Sequence, residues 1–313
     1  MRLIVRLVLF EIRGNFCRPE GGLGHLGRMP EEIAKSAREH AKAQWTINPC
    51  GSVEGDETEL AYFENVERLR YAEQDWQHEY FGFGEFAGKN VLEIGVGHGT
   101  DLIQFARGGA KCHAIDITQK HIDLAKRNFA LRGFPVVIES ADATRIPFPD
   151  EHFDCVYSFG VLHHIPEIDR CVAEINRVLK PGGVFYMALY YKWSSFHIVS
   201  KILVQGLLKG DLFRLGYNGL LATIEKGADG RSVCPYVRLF SAADVRRLLS
   251  VGWTVPDVSV WQLKSDHLSK FSLVLPRFIR RHLNRKRSRF GWYVASTATK
   301  SISPPIAGPL RDL

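Results

Sequence analysis

Three alternate glycines, three carboxylates and a pair of histidines have the types and spacing to do chemistry in this 313-residue chain. Gly95, Gly97 and Gly99 follow an apolar run, Asn90 to Ile94, and precede a helical pattern that opens at about Thr100. Glycine has no Cβ, so such a loop turns sharply and lets a ligand approach its backbone. Loops of this kind hold nucleotide-like cofactors at the C-terminal edge of a parallel sheet. Asp116 ends the next apolar run, 21 residues after Gly95. A carboxylate there can accept both hydroxyls of a ribose, or it can start the helix at Gln119, or both. His163 and His164 bring side chains that take up a proton near neutral pH. Their alternative is to cap their own loop through backbone hydrogen bonds.

The glycine spacing narrows the cofactor. A dinucleotide fingerprint, Gly-x-Gly-x-x-Gly, would put its third glycine at position 100, which is Thr100. The chain instead reads Glu-x-Gly-x-Gly-x-Gly, led by Glu93. This resembles the first motif of the class I S-adenosylmethionine-dependent methyltransferases. Further matches follow: Asp142-Ala143, the loop from Phe159 through Leu162-His163-His164-Ile165-Pro166, and Lys180-Pro181-Gly182-Gly183 before a strand. Together they cover about Asn90 to Leu189. The resemblance implies S-adenosylmethionine as co-substrate. Glu93 and the backbone of Gly95, Gly97 and Gly99 would hold its methionine end. Asp116 with Ile117 would hold the ribose, Asp142 with Ala143 the adenine, and the loop after Phe159 would line both cofactor and acceptor. Two other readings stay open: a dinucleotide-dependent oxidoreductase on the same scaffold, and a non-catalytic S-adenosylmethionine-binding protein.

Positioning these residues takes alternating strands and helices. Apolar runs at 90–94, 112–115, 136–140, 153–159 and 184–189 alternate with helical patterns at 119–131 and 168–179. That pattern gives a mostly parallel sheet with helices on both faces, and right-handed crossovers bring the strand ends to one rim. A sixth strand is expected over 253–263 and an antiparallel seventh over 291–297, making a Rossmann-like seven-stranded α/β fold. Helices over 30–45 and 57–80 form an N-terminal cap, either a lid over the cofactor or a cover for the sheet edge. The aromatic- and glycine-rich interval 190–239 reads as an inserted cap and as the acceptor pocket; an oligomer interface is its alternative. Ser241 and Asp244 have capping-box chemistry for a helix over 241–249. The expected parts are 1–88 leader and helical cap, 89–189 cofactor-binding core, 190–239 substrate cap, 240–299 remainder of the sheet with a basic helix, and 300–313 a disordered tail.

Composition bounds the rest. Six scattered cysteines form no C-x-x-C pair, which fits reduced cytoplasmic thiols and no metal site; the adjacent histidines have no acid or cysteine at ligand spacing. The net charge of +7 equals the seven cations of the run Arg277, Arg280, Arg281, Arg285, Lys286, Arg287 and Arg289, so the basicity is local. A helix over 276–289 could be a solvated surface, lie on an anionic membrane through 277–289, or touch phosphates; no RNA-binding module signature accompanies it. Met1 to Phe10 falls short of the ~20 apolar residues of a membrane helix. The expectation is a cytoplasmic or membrane-peripheral enzyme with a redundant leader and Met29 as the real start. Its acceptor is a small or medium organic molecule, lipid-like, quinone-like or a specialised metabolite.

Overall fold

The structure is a computed structural model that describes residues 31–47, 49, 51–225, 236–264 and 285–302. The leader with Met29, the tail beyond residue 302 and most of the basic run therefore lie outside the described residues.

Helix α1 (Glu31–Ile47) carries Glu31 and Glu32 in its first turn, where the helix dipole favours acids. The expected single helix over 57–80 is broken in two, α2 (Leu60–Gln74) and α3 (Gln77–Tyr80). The break lets Trp76 bury its indole and stack on Trp261 at 5.2 Å. Then come β1 (Asn90–Ile94), α4 (Thr100–Arg107), β2 (Lys111–Asp116), α5 (Gln119–Leu131), β3 (Val136–Ser140), β4 (Phe153–Phe159) and α6 (Ile168–Val178). Strand β5 (Leu179–Tyr190) begins five residues earlier than its apolar run, because Leu179 already pairs with Phe153 before the register shifts at the Pro-Gly-Gly turn.

The sheet order is β3-β2-β1-β4-β5-β8-β6-β7. Strands β3 to β5 are mutually parallel, and the order reverses between β1 and β4, the place where such sheets open a crevice for ligands. Strand β6 (Asp257–Leu263) and the antiparallel β8 (Tyr293–Thr299) complete the seven strands expected. A short eighth, β7 (Arg285–Arg287), pairs with β6. It corrects the reading of a basic helix through residue 289: the described end of the run is extended and paired to Trp261 and Leu263.

Alternation along the strands builds two cores. Val91, Cys155 and Tyr186 face one layer with Leu102, Phe105 and Phe129 of α4 and α5. Leu92, Val156 and Met187 face the other with Ile175 of α6 and Val245 of α8 (Ala242–Leu248). The N-terminus of α8 is the expected capping box, with Ser241 Oγ accepting from Asp244 N at 3.2 Å. Between β5 and α8 the chain forms a helical hairpin, a π-helix (Phe196–Leu208) followed by α7 (Asp211–Ala222).

Candidate active site

The three glycines do different work. Gly95 has φ 78°, and a Cβ there would meet Val161 Cγ2 at 2.3 Å, so the glycine loop and the histidine loop touch. Gly97 has φ 52° with nothing near the position of a Cβ, so its backbone faces open space. Gly99 has φ 74°, and a Cβ there would meet Ala125 and Phe129 at 3.3 Å. It therefore seats α5 against the loop and does not line the cavity.

That open space is one cavity of about 490 Å³ at the C-terminal rim. Glu93, Gly95, Gly97, Asp116, Ile117, Asp142, Ala143, Phe159 and His164 all line it. Gly99 and His163 are the two expected site residues that do not. Helices α1 and α2 lie over the cavity through Arg38, Trp45, Leu69, Arg70 and Gln74, so the lid position is the one adopted. Tyr62 of α2 ties the lid to the glycine loop, its hydroxyl 3.1 Å from His98 Nε2.

The carboxylates differ in their surroundings. Burial, reinforced by nearby Asp101, pushes the Glu93 carboxyl well above its usual range. Its Oε2 is buried with no hydrogen-bond partner among the described residues, which is costly unless a ligand supplies a donor. Asp101 takes bonds from Tyr71 and Tyr157 hydroxyls at 2.9 Å and pairs with Arg70, whose guanidinium sits 4.5 Å over the Phe159 ring. Burial works against the Arg70 cation, but Asp101 holds its pKa above the ordinary value.

Asp116 is not the N-cap of α5, which is Thr118; its Oδ1 accepts from Thr118 N at 2.9 Å and Thr118 Oγ1 at 2.6 Å, just ahead of the helix. Its Oδ2 faces Gly97 N at 3.3 Å. Burial would raise this carboxyl, but the bond to His121 and those from Thr118 hold it below the ordinary range. Asp142 Oδ1 caps Thr144 N at 2.8 Å, while Oδ2 lies 3.4 Å from Arg38 Nε. Arg38, which also pairs with Glu167, has no sequence signal: it is one cation among many on a surface helix.

The histidines part company. His163 is fully buried against Tyr190, ring centroids 3.8 Å apart, and neither ring nitrogen has a partner among the described residues. Burial and the neighbouring His164 drive its pKa well down. His164 faces the cavity. Its Nδ1 lies 3.1 Å from the Tyr236 carbonyl oxygen and its Nε2 lies 3.8 Å from Glu225 Oε1. A carbonyl only accepts, so Nδ1 carries the proton and Nε2 presents a lone pair. Glu225 also receives the Tyr190 hydroxyl.

Sequence spacing missed Glu225. Its Oε atom and one nitrogen of each histidine lie within 4.8 Å of one another, a set that could hold a cation. Among the described residues of the aromatic interval, Tyr190 and Glu225 reach the cavity, where Tyr293 of β8 joins them. Phe196 packs on Trp292 at 4.7 Å, Tyr217 on His197, and Trp193 and Phe213 are exposed.

The family profile described as "Methyltransferase domain" matches residues 92–187, the span from β1 to β5 that carries the glycine loop, Asp116, Asp142 and the histidine pair. Residues 92–187 are a methyltransferase domain. The domain is of class I type and its co-substrate is S-adenosylmethionine. The dinucleotide alternative is thereby displaced for this span.

Curated relatives agree over the same region. The sterol 4-C-methyltransferase strm-1 of Caenorhabditis elegans is 38% identical over 98 residues, 31% of this chain and 29% of that protein. A fatty-acid O-methyltransferase of Mycolicibacterium smegmatis is 35% identical over 124 residues, 39% of this chain and 44% of that protein. The chain thus spans less than half the length of these relatives. A chain of the complex containing the Haloferax volcanii Trm112 methyltransferase activator superposes with a TM-score of 0.50 at 16% identity. That match covers 80% of this chain and 100% of that one, a likeness in fold. Among the described residues no helix is long and apolar enough to cross a membrane.

Proposed function

We propose that the methyltransferase domain works here as an enzyme that methylates an O, N or C nucleophile on a small or medium organic acceptor with a lipid-like or quinone-like body. The observation that carries this is that Glu93, Gly97, Asp116 and Asp142 line the same cavity as His164, Glu225, Tyr190 and Tyr293. Glu93 fits the co-substrate because its buried Oε2 needs a donor, and Gly97 because a side chain would fill the open space in front of it. When bound, S-adenosylmethionine supplies an already activated methyl group, so the protein need not make an electrophile.

What remains for the chain is orientation and a proton. Holding two reactants in line can lower a barrier by roughly 7–11 kcal/mol. Arg70, Phe159 and Tyr293 wall the cavity. His164 Nε2 takes the acceptor's proton, and Glu225 stabilises the imidazolium that results. His163 does not act as the base: it is buried behind Tyr190, and its basicity is suppressed. Its part is to support the loop.

In this reading residues 89–189 are the cofactor core, and the caps at 1–88 and 190–239 enclose the acceptor. The names of the relatives, a sterol and a fatty-acid methyltransferase, support an apolar acceptor. The buried free thiols of Cys112, Cys155 and Cys171 support a reducing compartment, the cytoplasm. Membrane contact through 277–289 is retained as a subsidiary proposal, since Arg287 and Arg289 are exposed. The test is calorimetric titration with S-adenosylhomocysteine, then release of that product with sterol, fatty-acid and quinol acceptors. Binding with turnover supports the enzyme; binding without turnover on any acceptor favours the non-catalytic alternative; no binding overturns both.

A further inference from the structure

The hairpin between β5 and α8 exposes large apolar side chains while two of its polar ones, Lys201 and His197, point inward. Lys201 is 7% exposed, with Nζ donating to Thr223 O at 2.8 Å and Thr223 Oγ1 at 3.0 Å. His197 is buried between the Lys192 carbonyl and the Tyr217 hydroxyl. Part of its apolar surface points outward: Phe213 is 80% exposed and Leu208 67%, with Ile198, Leu203 and Leu215 also in contact with solvent, while Leu212, Leu220 and Leu221 pack inward. A surface hairpin that met only water would be favoured in the opposite sense.

The geometry of the first helix aligns this apolar set. A π-helix bonds each residue to the fifth one along, a rare arrangement that concentrates at functional positions. Ile198, Leu203 and Leu208 stand five residues apart and so fall along one side of it. An ordinary helical period would scatter them.

Charge selects the partner. From Tyr191 to Ile224 the chain has four cations, Lys192, Lys201, Lys209 and Arg214, of which Lys201 is buried, and one acid, Asp211. Asp211 is occupied by Arg214 at 2.8 Å and by Gln205 at 3.1 Å. Exposed Lys209 stands in the turn between Leu208 and Phe213. The Ser195 N–H donates to Phe290 O at 3.0 Å, which brings exposed Phe290 and Arg289 to the base of the hairpin. Apolar residues rimmed by cations match a bilayer with anionic headgroups.

We propose that this hairpin docks on an anionic lipid surface, with Leu208 and Phe213 entering the acyl boundary and Lys209 at the headgroups. The docking surface stands apart from the methyl-transfer reading. Its consequence rests on that reading: the same insert leads from Tyr190 to Glu225, both at the cavity, so an apolar acceptor would enter from the membrane.

The experiment is flotation of the full chain at low salt with vesicles of phosphatidylcholine alone and of phosphatidylcholine with phosphatidylglycerol. Wild type should float with the anionic vesicles, and the double variant Leu208→Asp/Phe213→Asp should lose at least about tenfold in partitioning. Phe213→Ser alone should fall in between. Native circular dichroism in the variants shows that folding is kept. No flotation of wild type, or equal flotation of the double variant, overturns the proposal. So does a dimer on gel filtration that fails to float and that the double variant splits, which would assign the face to a second copy of the chain. Loss of S-adenosylhomocysteine binding by wild type would count against the methyltransferase reading alone.

Discussion

His164 Nε2 and Glu225 Oε1 lie 3.8 Å apart across the cavity, brought together from 61 positions' separation in the chain. The distance is right for a carboxylate that steadies an imidazolium without blocking its approach to an acceptor. His164→Ala should therefore lower single-turnover methyl transfer by about 10²–10⁴-fold at saturating co-substrate. Glu225→Gln should cost less, and S-adenosylhomocysteine affinity should hold in both. Turnover of His164→Ala at the wild-type rate would remove the base role. His163→Ala should act on thermal stability first, because it empties a buried site beside Tyr190.

The same two side chains and His163 form a set with the reach to bind a cation. If His164 works as the base, dialysis against a chelator should leave turnover unchanged, with metal analysis of the purified protein showing less than one equivalent. Activity that falls on dialysis and returns with one divalent metal would reassign the trio as metal ligands.

Gly95→Ala tests the contact between the glycine and histidine loops. A side chain at φ 78° costs about 1–2 kcal/mol, and the clash with Val161 adds to that. Denaturant melts should show the loss. The double variant Gly95→Ala/Val161→Ala should recover the part due to the clash and leave the backbone part.

Burial pushes His197 down to about 4, against the raising effect of its contact with the Lys192 carbonyl. The ordinary value is about 6.5. Between these limits the unfolded chain binds the extra proton, so stability is full above about pH 6.5 and falls as the pH drops towards 4. A shift of this size is worth on the order of 3 kcal/mol. Melting temperature measured from pH 7.5 to 4.5 should fall through this window, and His197→Asn should flatten its share of the slope. A slope identical in the variant would show that other groups carry it.

Local pattern carried much of the architecture. The five parallel strands, the helices between them, the antiparallel last strand and the Ser241–Asp244 cap were legible because alternation, helical period and capping depend on residues a few positions apart. Glu93, Gly97, Asp116 and Asp142 were legible for the same reason: each sits at a strand end that its own neighbours define. The basic run was misread because an extended β7 is decided by pairing with β6, which no local charge pattern reports. Which residues of the aromatic interval reach the cavity was not legible, because ring content shows that a segment can bury surface, not which surface it buries.

From the sequence alone came the glycine loop, the order of strands and helices, and the class of chemistry, since those follow from short-range spacing. Tertiary structure alone decided that Arg38 meets Asp142, that Tyr293 and Glu225 face the cavity, that His164 and not His163 looks into it, and that the insert leaves Leu208 and Phe213 exposed. Each of these joins residues distant in the chain, and their meeting is set by how the layers pack.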